Sequence, residues 1–242
     1  MNLEIKDVSL IINKKIIIKN VSISVSPGEI VGLLGPNGAG KTSTFNIAVG
    51  NLTPSKGDVF LNNKLITNLT LPERSRLGLG YLPQESSIFR DLTVRQNIEL
   101  ALRSSNLSNS IIRNRREKII KEFNLTKFID NFGYQLSGGE RRRCEIARAL
   151  SVGRNGPSYL LLDEPFAGID PLAVNDLKNI IIKLSRSGVG VLITDHNVRE
   201  TLLITNKSYV LSEGKILAFG LSKEVAKDEI VKKFYLGADF SL

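Results

Sequence analysis

The segment Gly35-Pro-Asn-Gly-Ala-Gly40-Lys41-Thr42 has the spacing GxxxxGK[ST]. Glycines at its first, fourth and sixth positions let successive backbone N–H groups turn inward at the start of a helix, where the dipole already favours anions. A lysine adds positive charge for phosphates, and a threonine hydroxyl can ligate Mg²⁺. Gly35, Pro36, Asn37, Gly38, Ala39, Gly40, Lys41, Thr42 and the following Ser43 therefore read as a cradle for a nucleoside triphosphate. Such a site needs an acid delivered by a buried strand, and Tyr159-Leu-Leu-Leu162-Asp163-Glu164 has that form. Asp163 is placed to hold Mg²⁺ through its water shell. Glu164, one residue further, is placed to activate a water for attack on the γ-phosphate.

A second anion site is written at Ser137-Gly138-Gly139-Glu140. Ser137 and Glu140, three residues apart, form a capping box for a helix over Arg141 to Leu150. The two glycines beside the cap leave backbone N–H groups bare at that helix end. One phosphate cradle and one spare anion-binding helix end suggest a two-fold partner, each copy closing on the other's nucleotide.

The elements that must position these groups alternate in type. Short strands are expected at Leu3 to Leu10, Ile16 to Ile18 and Val21 to Val25, with a turn at Asn13-Lys14-Lys15, and then at Ile30 to Leu34. A helix from Lys41 to Val49 follows, then strands at Val59 to Leu61 and near Gly80 to Pro83. From Thr93 to Leu150 the spacing turns helical, as in Ile111, Ile112, Ile119, Ile120 and Phe123. Strands return at Tyr159 to Leu162 and Val189 to Thr194, separated by a helix that Asp170-Pro171 opens as N-cap and first residue. A strand pair at Tyr209 to Leu211 and Ile216 to Phe219 turns at Glu213-Gly214, and a last helix is expected from Lys223 to Phe234. This alternation predicts an α/β fold: a RecA-like P-loop NTPase core with a largely parallel sheet, N-terminal antiparallel β strands and an inserted α-helical subdomain. The expected division is 1–85 and 156–220 for the nucleotide-binding core, 86–155 for the helical subdomain and 221–242 for a C-terminal helix and tail.

Composition excludes several alternatives. The chain has 242 residues, of which 42% are hydrophobic and 24% charged, the balance of one large globular domain. No apolar run approaches the roughly 20 residues of a membrane span. Glu4, Lys6 and Asp7 make a secretory signal unexpected. The only cysteine, Cys144, reads as a small core residue and excludes CxxC chemistry, and the only histidine, His196, excludes multi-histidine metal centres. The net charge of +9 is spread along a Lys- and Asn-rich chain rather than gathered in one patch. It predicts a solvated surface, with attraction to an anionic membrane face as the alternative. Direct nucleic-acid binding is not expected, because the basic runs lack interleaved aromatics. Arg113-Asn-Arg-Arg116 and Arg141 to Arg143 are expected on solvated faces or in salt bridges.

The cradle, Gln84, Leu136-Ser-Gly-Gly-Glu140, Leu160-Leu-Leu-Asp-Glu-Pro165, Gly168-Ile-Asp170 and His196 occur in an order that resembles the ATP-binding subunits of ABC transporters. That resemblance covers nearly the whole chain. It implies an ATPase using ATP and Mg²⁺, with Gln84 sensing nucleotide and joining Thr42 and Asp163 around the metal. It further implies that His196 contacts the γ-phosphate beside Glu164, that Ser137, Gly138, Gly139 and Glu140 meet the other protomer's ATP, and that Asp170 communicates across a homodimer. Gly80-Tyr-Leu-Pro-Gln-Glu-Ser-Ser-Ile-Phe-Arg90, Leu136-Ser-Gly-Gly-Glu-Arg-Arg-Arg143, Ile193-Thr-Asp-His-Asn-Val-Arg-Glu-Thr-Leu202 and Tyr235-Leu-Gly-Ala-Asp-Phe240 resemble more narrowly the lipopolysaccharide-export ATPases. By that likeness Phe89 and Arg90 line a groove for the membrane partners. Those partners are two transmembrane permease subunits and a bitopic bridge subunit, with this chain peripheral on the cytoplasmic face of the inner membrane. The Tyr235 to Phe240 tail would shape the dimer. Branched-chain amino-acid import and a soluble ATPase acting on an iron–sulfur scaffold are the rival readings. One departure stands out: relatives place an aromatic where Ile12 stands, to stack on adenine, which predicts looser ATP binding and poorer ATP/GTP discrimination here.

Overall fold

The computed structural model describes every residue except Ala238, Asp239 and Ser241. The chain opens with β1 (Leu3–Ile12) and β2 (Lys15–Val25), joined by a tight turn in which Asn13 and Lys14 have φ of 49° and 64°. Two consecutive residues with positive φ make a turn whose twist matches that of the flanking strands. β3 (Ile30–Leu34) leads through the phosphate cradle into α1 (Lys41–Val49). β4 (Lys56–Leu61), β5 (Lys64–Leu65), α2 (Leu71–Arg76) and β6 (Leu79–Leu82) follow. The helical stretch holds α3 (Val94–Arg103), α4 (Asn109–Glu122) and α5 (Gly138–Ala149). Then come β7 (Tyr159–Asp163), α6 (Pro171–Arg186), β8 (Gly190–Thr194), α7 (Val198–Ile204), β9 (Lys207–Ser212) and β10 (Lys215–Leu221). The chain closes with α8 (Ser222–Val225), α9 (Glu229–Val231) and a short π-helical turn over Lys232–Leu236.

Two sheets result. One is antiparallel, in the order β2-β1-β4-β5; the other runs β10-β9-β3-β8-β7-β6 and is parallel except for β10. The five residues of β3, β7 and β8 are all buried, as parallel strands covered on both faces require. Side chains alternate across the sheet, so each strand feeds two cores. Leu160 and Leu162 of β7, with Val191 and Ile193 of β8, pack among Ile98, Phe123, Ile146 and Leu177 from the helices. Tyr159, Leu161 and Leu192 face the other way, against Phe45 and Ile47 of α1 and the antiparallel sheet. A smaller core joins Leu34, Leu202 and Val210 to Val225 and Val231, with Tyr235, Leu236 and Phe240 packed on it. Cys144 is buried as expected, and burial pushes its thiol up to about 12.

Two expectations are corrected. The strand broken in sequence at Lys19-Asn20 is continuous, because Asn20 takes a positive φ of 52° at a register shift and its N–H donates to Ser9 Oγ (2.9 Å). The last helix is interrupted: Lys227 N–H closes a turn on Glu224 and the Asp228 side chain starts a fresh cap by accepting from Val231 N–H (2.9 Å). The arginine runs divide, as expected, between solvated positions and salt bridges, Arg116 with Glu99 (2.7 Å) and Arg142 with Glu145 (3.1 Å), and two of them also reach backbone carbonyls. Arg115 donates to the carbonyls of Gly153 (2.7 Å) and Leu150 (3.3 Å), and Arg142 is buried.

The helix that begins with Lys41 is pinned at its far end by Arg74, which is fully buried. Its guanidinium donates to the carbonyls of Ile47 (2.7 Å), Ala48 (2.6 Å), Thr67 (2.8 Å) and Leu69 (2.9 Å). A cation is favoured at that C-terminus, although burial lowers the arginine pKa to about 10. Replacing Arg74 by Ala leaves these carbonyls unpartnered and is expected to destabilise the protein by about 3 kcal/mol or more. Urea denaturation checks this; a loss below about 1 kcal/mol would refute the capping role.

Candidate active site

The cradle takes its shape from a close backbone approach. A side chain at Gly35 would put Cβ 2.2 Å from the Leu211 carbonyl oxygen, so only glycine fits beneath β9. Lys41, nearly buried, donates from Nζ to the carbonyls of Gly35 (2.7 Å) and Pro36 (3.0 Å). Burial lowers its pKa, opposed by the negative charges of Glu164 and Asp163. Asn37, Gly38, Thr42 and Ser43 open onto a cavity of about 390 Å³ that is closed on its other side by Gln84, Asp163, Glu164, Thr194 and His196. Asn37, Gly38, Gly40, Lys41, Thr42, Ser43, Asp163 and Glu164, assigned by spacing, and Gln84 and His196, assigned by resemblance, thus share one cavity at the ends of β3, β6, β7 and β8.

Asp163 ends β7 beside its register partner Thr194 of β8. Burial first, and the neighbouring Glu164 second, push the Asp163 carboxyl up to about 6. Asp163 Oδ1 and Thr194 Oγ1 are buried without a hydrogen-bond partner. Orphaned hard oxygens beside a threonine hydroxyl are the donor chemistry that Mg²⁺ takes, so the residues fit that ion. Glu164 adopts a positive φ of 51°, a costly conformation for a residue with a side chain. Its N–H donates to the Thr194 carbonyl (2.8 Å), and its carboxylate is gripped from both sides. Gln84 Nε2 donates to one oxygen (3.0 Å), and His196 Nε2 lies 2.8 Å from the other. Asp195 braces the floor, accepting from Phe166 N–H and Asn197 N–H (both 2.8 Å).

Ser137 forms the expected box, accepting from Glu140 N–H (3.4 Å) while Glu140 accepts from Ser137 N–H (2.9 Å). None of Ser137, Gly138, Gly139 and Glu140 lines the cavity of its own chain. Gly139 has a packing reason as well: a Cβ there would stand 2.7 Å from Ala173 Cβ of α6. Asp170 caps that helix, accepting from Ala173 N–H (3.0 Å), and so lies beside the Ser137 segment. Phe89 is 47% exposed, with the Arg148 guanidinium 4.6 Å over its ring, and Arg90 is exposed. The stacked pair Phe132 and Tyr134 (5.6 Å) adjoins them, since a Cβ on Gly133 would meet the Phe89 carbonyl at 2.8 Å. Sequence reading missed this pair, Thr194 and Asp195, and also Ile17, which lines the cavity where attention fell on the half-exposed Ile12. Only β-strand pairing and a long-range loop contact bring them in. Of the tail, Phe240 packs on the smallest core, whereas Ala238 and Asp239 lie outside the described residues.

An acid whose folded pKa is raised binds more protons folded than unfolded, so its contribution to stability falls as pH rises through about 6. Asp163→Asn is therefore expected to stabilise the nucleotide-free protein by about 1–3 kcal/mol near pH 7.5, an advantage that vanishes towards pH 4. Denaturant melts at the two pH values check this. No gain near neutral pH would mean that Asp163 is not penalised by burial.

Residues 18–167 match the family described as ABC transporter. The chain is 48% identical over 229 residues to the lipopolysaccharide export system ATP-binding protein LptB of Acidithiobacillus ferridurans, covering 95% of this chain and 94% of that protein. It superposes on a nucleotide-free ATP-binding cassette from an ABC transporter with a TM-score of 0.87, at 28% identity over 98% of this chain and all of that one. It also superposes on a dimeric bacterial ABC transporter cassette with a TM-score of 0.79, at 26% identity over 91% and 98%. The phosphate cradle, the paired acids at the end of β7 and these likenesses agree: the chain belongs to the ABC transporter family, as an ATP-hydrolysing subunit.

Proposed function

We propose that this chain powers lipopolysaccharide export, working as a homodimer on the cytoplasmic face of the inner membrane. The observation that carries the reading is the near end-to-end likeness to a lipopolysaccharide export ATP-binding protein, 48% identical over 95% of the chain. Among the described residues no helix is long and apolar enough to cross a membrane. In this reading the path for cargo is supplied by two transmembrane permease subunits and a bitopic bridge subunit. Phe89 and Arg90, with Phe132 and Tyr134 beside them, offer an exposed aromatic and cationic surface on which such partners would dock.

The chain's own residues divide the work. Asn37, Gly38 and Gly40 to Ser43 line the cavity and bind the phosphates, Lys41 placing its charge on them, while Gly35, Pro36 and Ala39 shape the loop. Thr42, Asp163 and Gln84 would hold Mg²⁺, which when bound neutralises phosphate charge. Glu164 takes the proton of the attacking water, while Gln84 and His196 fix its carboxylate from either side. Ser137, Gly138, Gly139 and Glu140 stand outside their own chain's cavity, which supports a role against the other protomer's ATP, with Asp170 alongside. No direct contact with nucleic acid is part of this reading.

Glu164→Gln is expected to trap an ATP-bound dimer, with turnover reduced at least roughly a hundredfold. Size-exclusion chromatography with ATP and a phosphate-release assay check it, and a wild-type rate would show the base to be misassigned. Ile12→Tyr is expected to tighten ATP about tenfold and to sharpen ATP over GTP, through stacking of roughly 1–3 kcal/mol. Nucleotide titrations showing no change in either would sink the base-packing role. The export reading is tested by extracting the protein from native membranes in mild detergent and identifying what stays bound. Two permease subunits with a bitopic bridge, and ATPase activity that responds to lipopolysaccharide, are expected. Amino-acid permeases or iron–sulfur scaffold proteins would overturn the cargo.

A further inference from the structure

Helix α5 turns Arg142, Glu145 and Arg148, three residues apart, towards the loop that follows β6. Glu145 is 3% exposed. Its Oε1 accepts from Ser86 Oγ (2.8 Å), Ser87 N–H (2.8 Å) and Ile88 N–H (3.2 Å), and its Oε2 accepts from the Arg142 guanidinium (3.1 Å). Arg142, also buried, donates to the carbonyls of Pro83 (3.1 Å), Asp163 (3.0 Å), Glu164 (2.6 Å) and Pro165 (3.2 Å). Arg148 donates to the Ser87 carbonyl and covers the Phe89 ring. One helix face therefore holds the segment from Pro83 to Phe89, which contains Gln84, and also the main chain on both sides of the Glu164 carboxylate.

Stability does not require an ion pair here. An apolar pair of similar volume is often as stable as a buried salt bridge, or more so, because each ion loses its hydration. What only a carboxylate does at this place is accept three donors from the loop at one oxygen and a guanidinium at the other. We propose that Glu145 is a positioning residue for ATP hydrolysis. It joins the Gln84 loop to the Arg142 clamp on Asp163, Glu164 and Pro165, and so keeps Gln84 within hydrogen-bonding reach of Glu164. Glu145 lines no part of the nucleotide cavity, so its effect falls on turnover and not on ATP binding.

The inference rests on Glu164 as the base, which Glu164→Gln tests separately. Glu145→Gln keeps the size and one oxygen for the loop donors, but sets an N–H₂ group against Arg142. In the full-length protein it is expected to lower kcat at least roughly tenfold with KM for ATP within about twofold, while the loss of Arg142's counter-ion lowers Tm by several degrees. Glu145→Ala removes both arms. Hydrogen exchange is expected to show the Ser87 and Ile88 amides losing protection while those of Leu160 to Leu162 keep theirs. If the alanine variant does not fold, the glutamine variant decides alone. A wild-type kcat in Glu145→Gln, or a fall in kcat accompanied by an equal loss of ATP affinity, would overturn the proposal.

Discussion

Three carboxylates, Asp163, Glu164 and Asp195, are gathered at the carboxyl edge of one parallel sheet, with Lys41 facing the first two. Like charges in a poorly solvated place repel, and each one pays for burial as well. The structure meets this in three different ways. Asp195 is bonded to backbone N–H groups, Glu164 is held between Gln84 and His196, and Asp163 keeps an oxygen with no protein partner and a pKa near 6. Attraction to Arg142 and then Lys41 offsets part of the cost at Asp163. The site is thus an electrostatic arrangement in which Asp163 is the least compensated of the three acids.

The surrounding architecture exists to hold these groups at fixed separations. Alternating side chains on β7 and β8 seal the sheet from both faces, so the strand ends carrying Asp163 and Thr194 have little freedom. Arg74 anchors the far end of the helix that begins with Lys41, and Gly35 lets the cradle lie directly under the Leu211 carbonyl. Arg142 crosses from the helical side to the carbonyls beyond β7. Through these contacts the antiparallel sheet, the parallel sheet and α5 each have a hand on the same cavity.

The Ser137 segment and the phosphate cradle belong to one chain, yet they do not share a cavity within it. Anion-binding N–H groups at a capped helix end, standing beside Asp170 and away from their own nucleotide site, give a symmetric association something to complete. The aromatic surface around Phe89 sits at the other end of the loop that carries Gln84, so the docking surface we propose and the Glu164 carboxylate are joined by one short segment.

Local chemistry was legible along the chain wherever one segment carries its whole meaning. The phosphate cradle, β3, α1, the Asp170-Pro171 cap and the Ser137 box all appear where spacing and capping placed them, because their determinants lie within a few residues. Sequence reading failed where long-range pairing overrides local preference. Asn20 looks like a break but sits in a bulge that another strand stabilises, and Asp228 competes with a helix by capping a new one. The backbone partners of the arginine runs were not legible because those carbonyls are 21 to 59 residues away along the chain. Thr194 meets Asp163 only through register, Phe132 and Tyr134 meet Phe89 only through a close backbone contact, and Glu145 meets Ser86 only across the fold. Residue types and spacings determined the chemistry on their own. Which buried charge is compensated by which distant donor was decided by tertiary structure, because desolvation and hydrogen bonding depend on neighbours in space rather than in sequence.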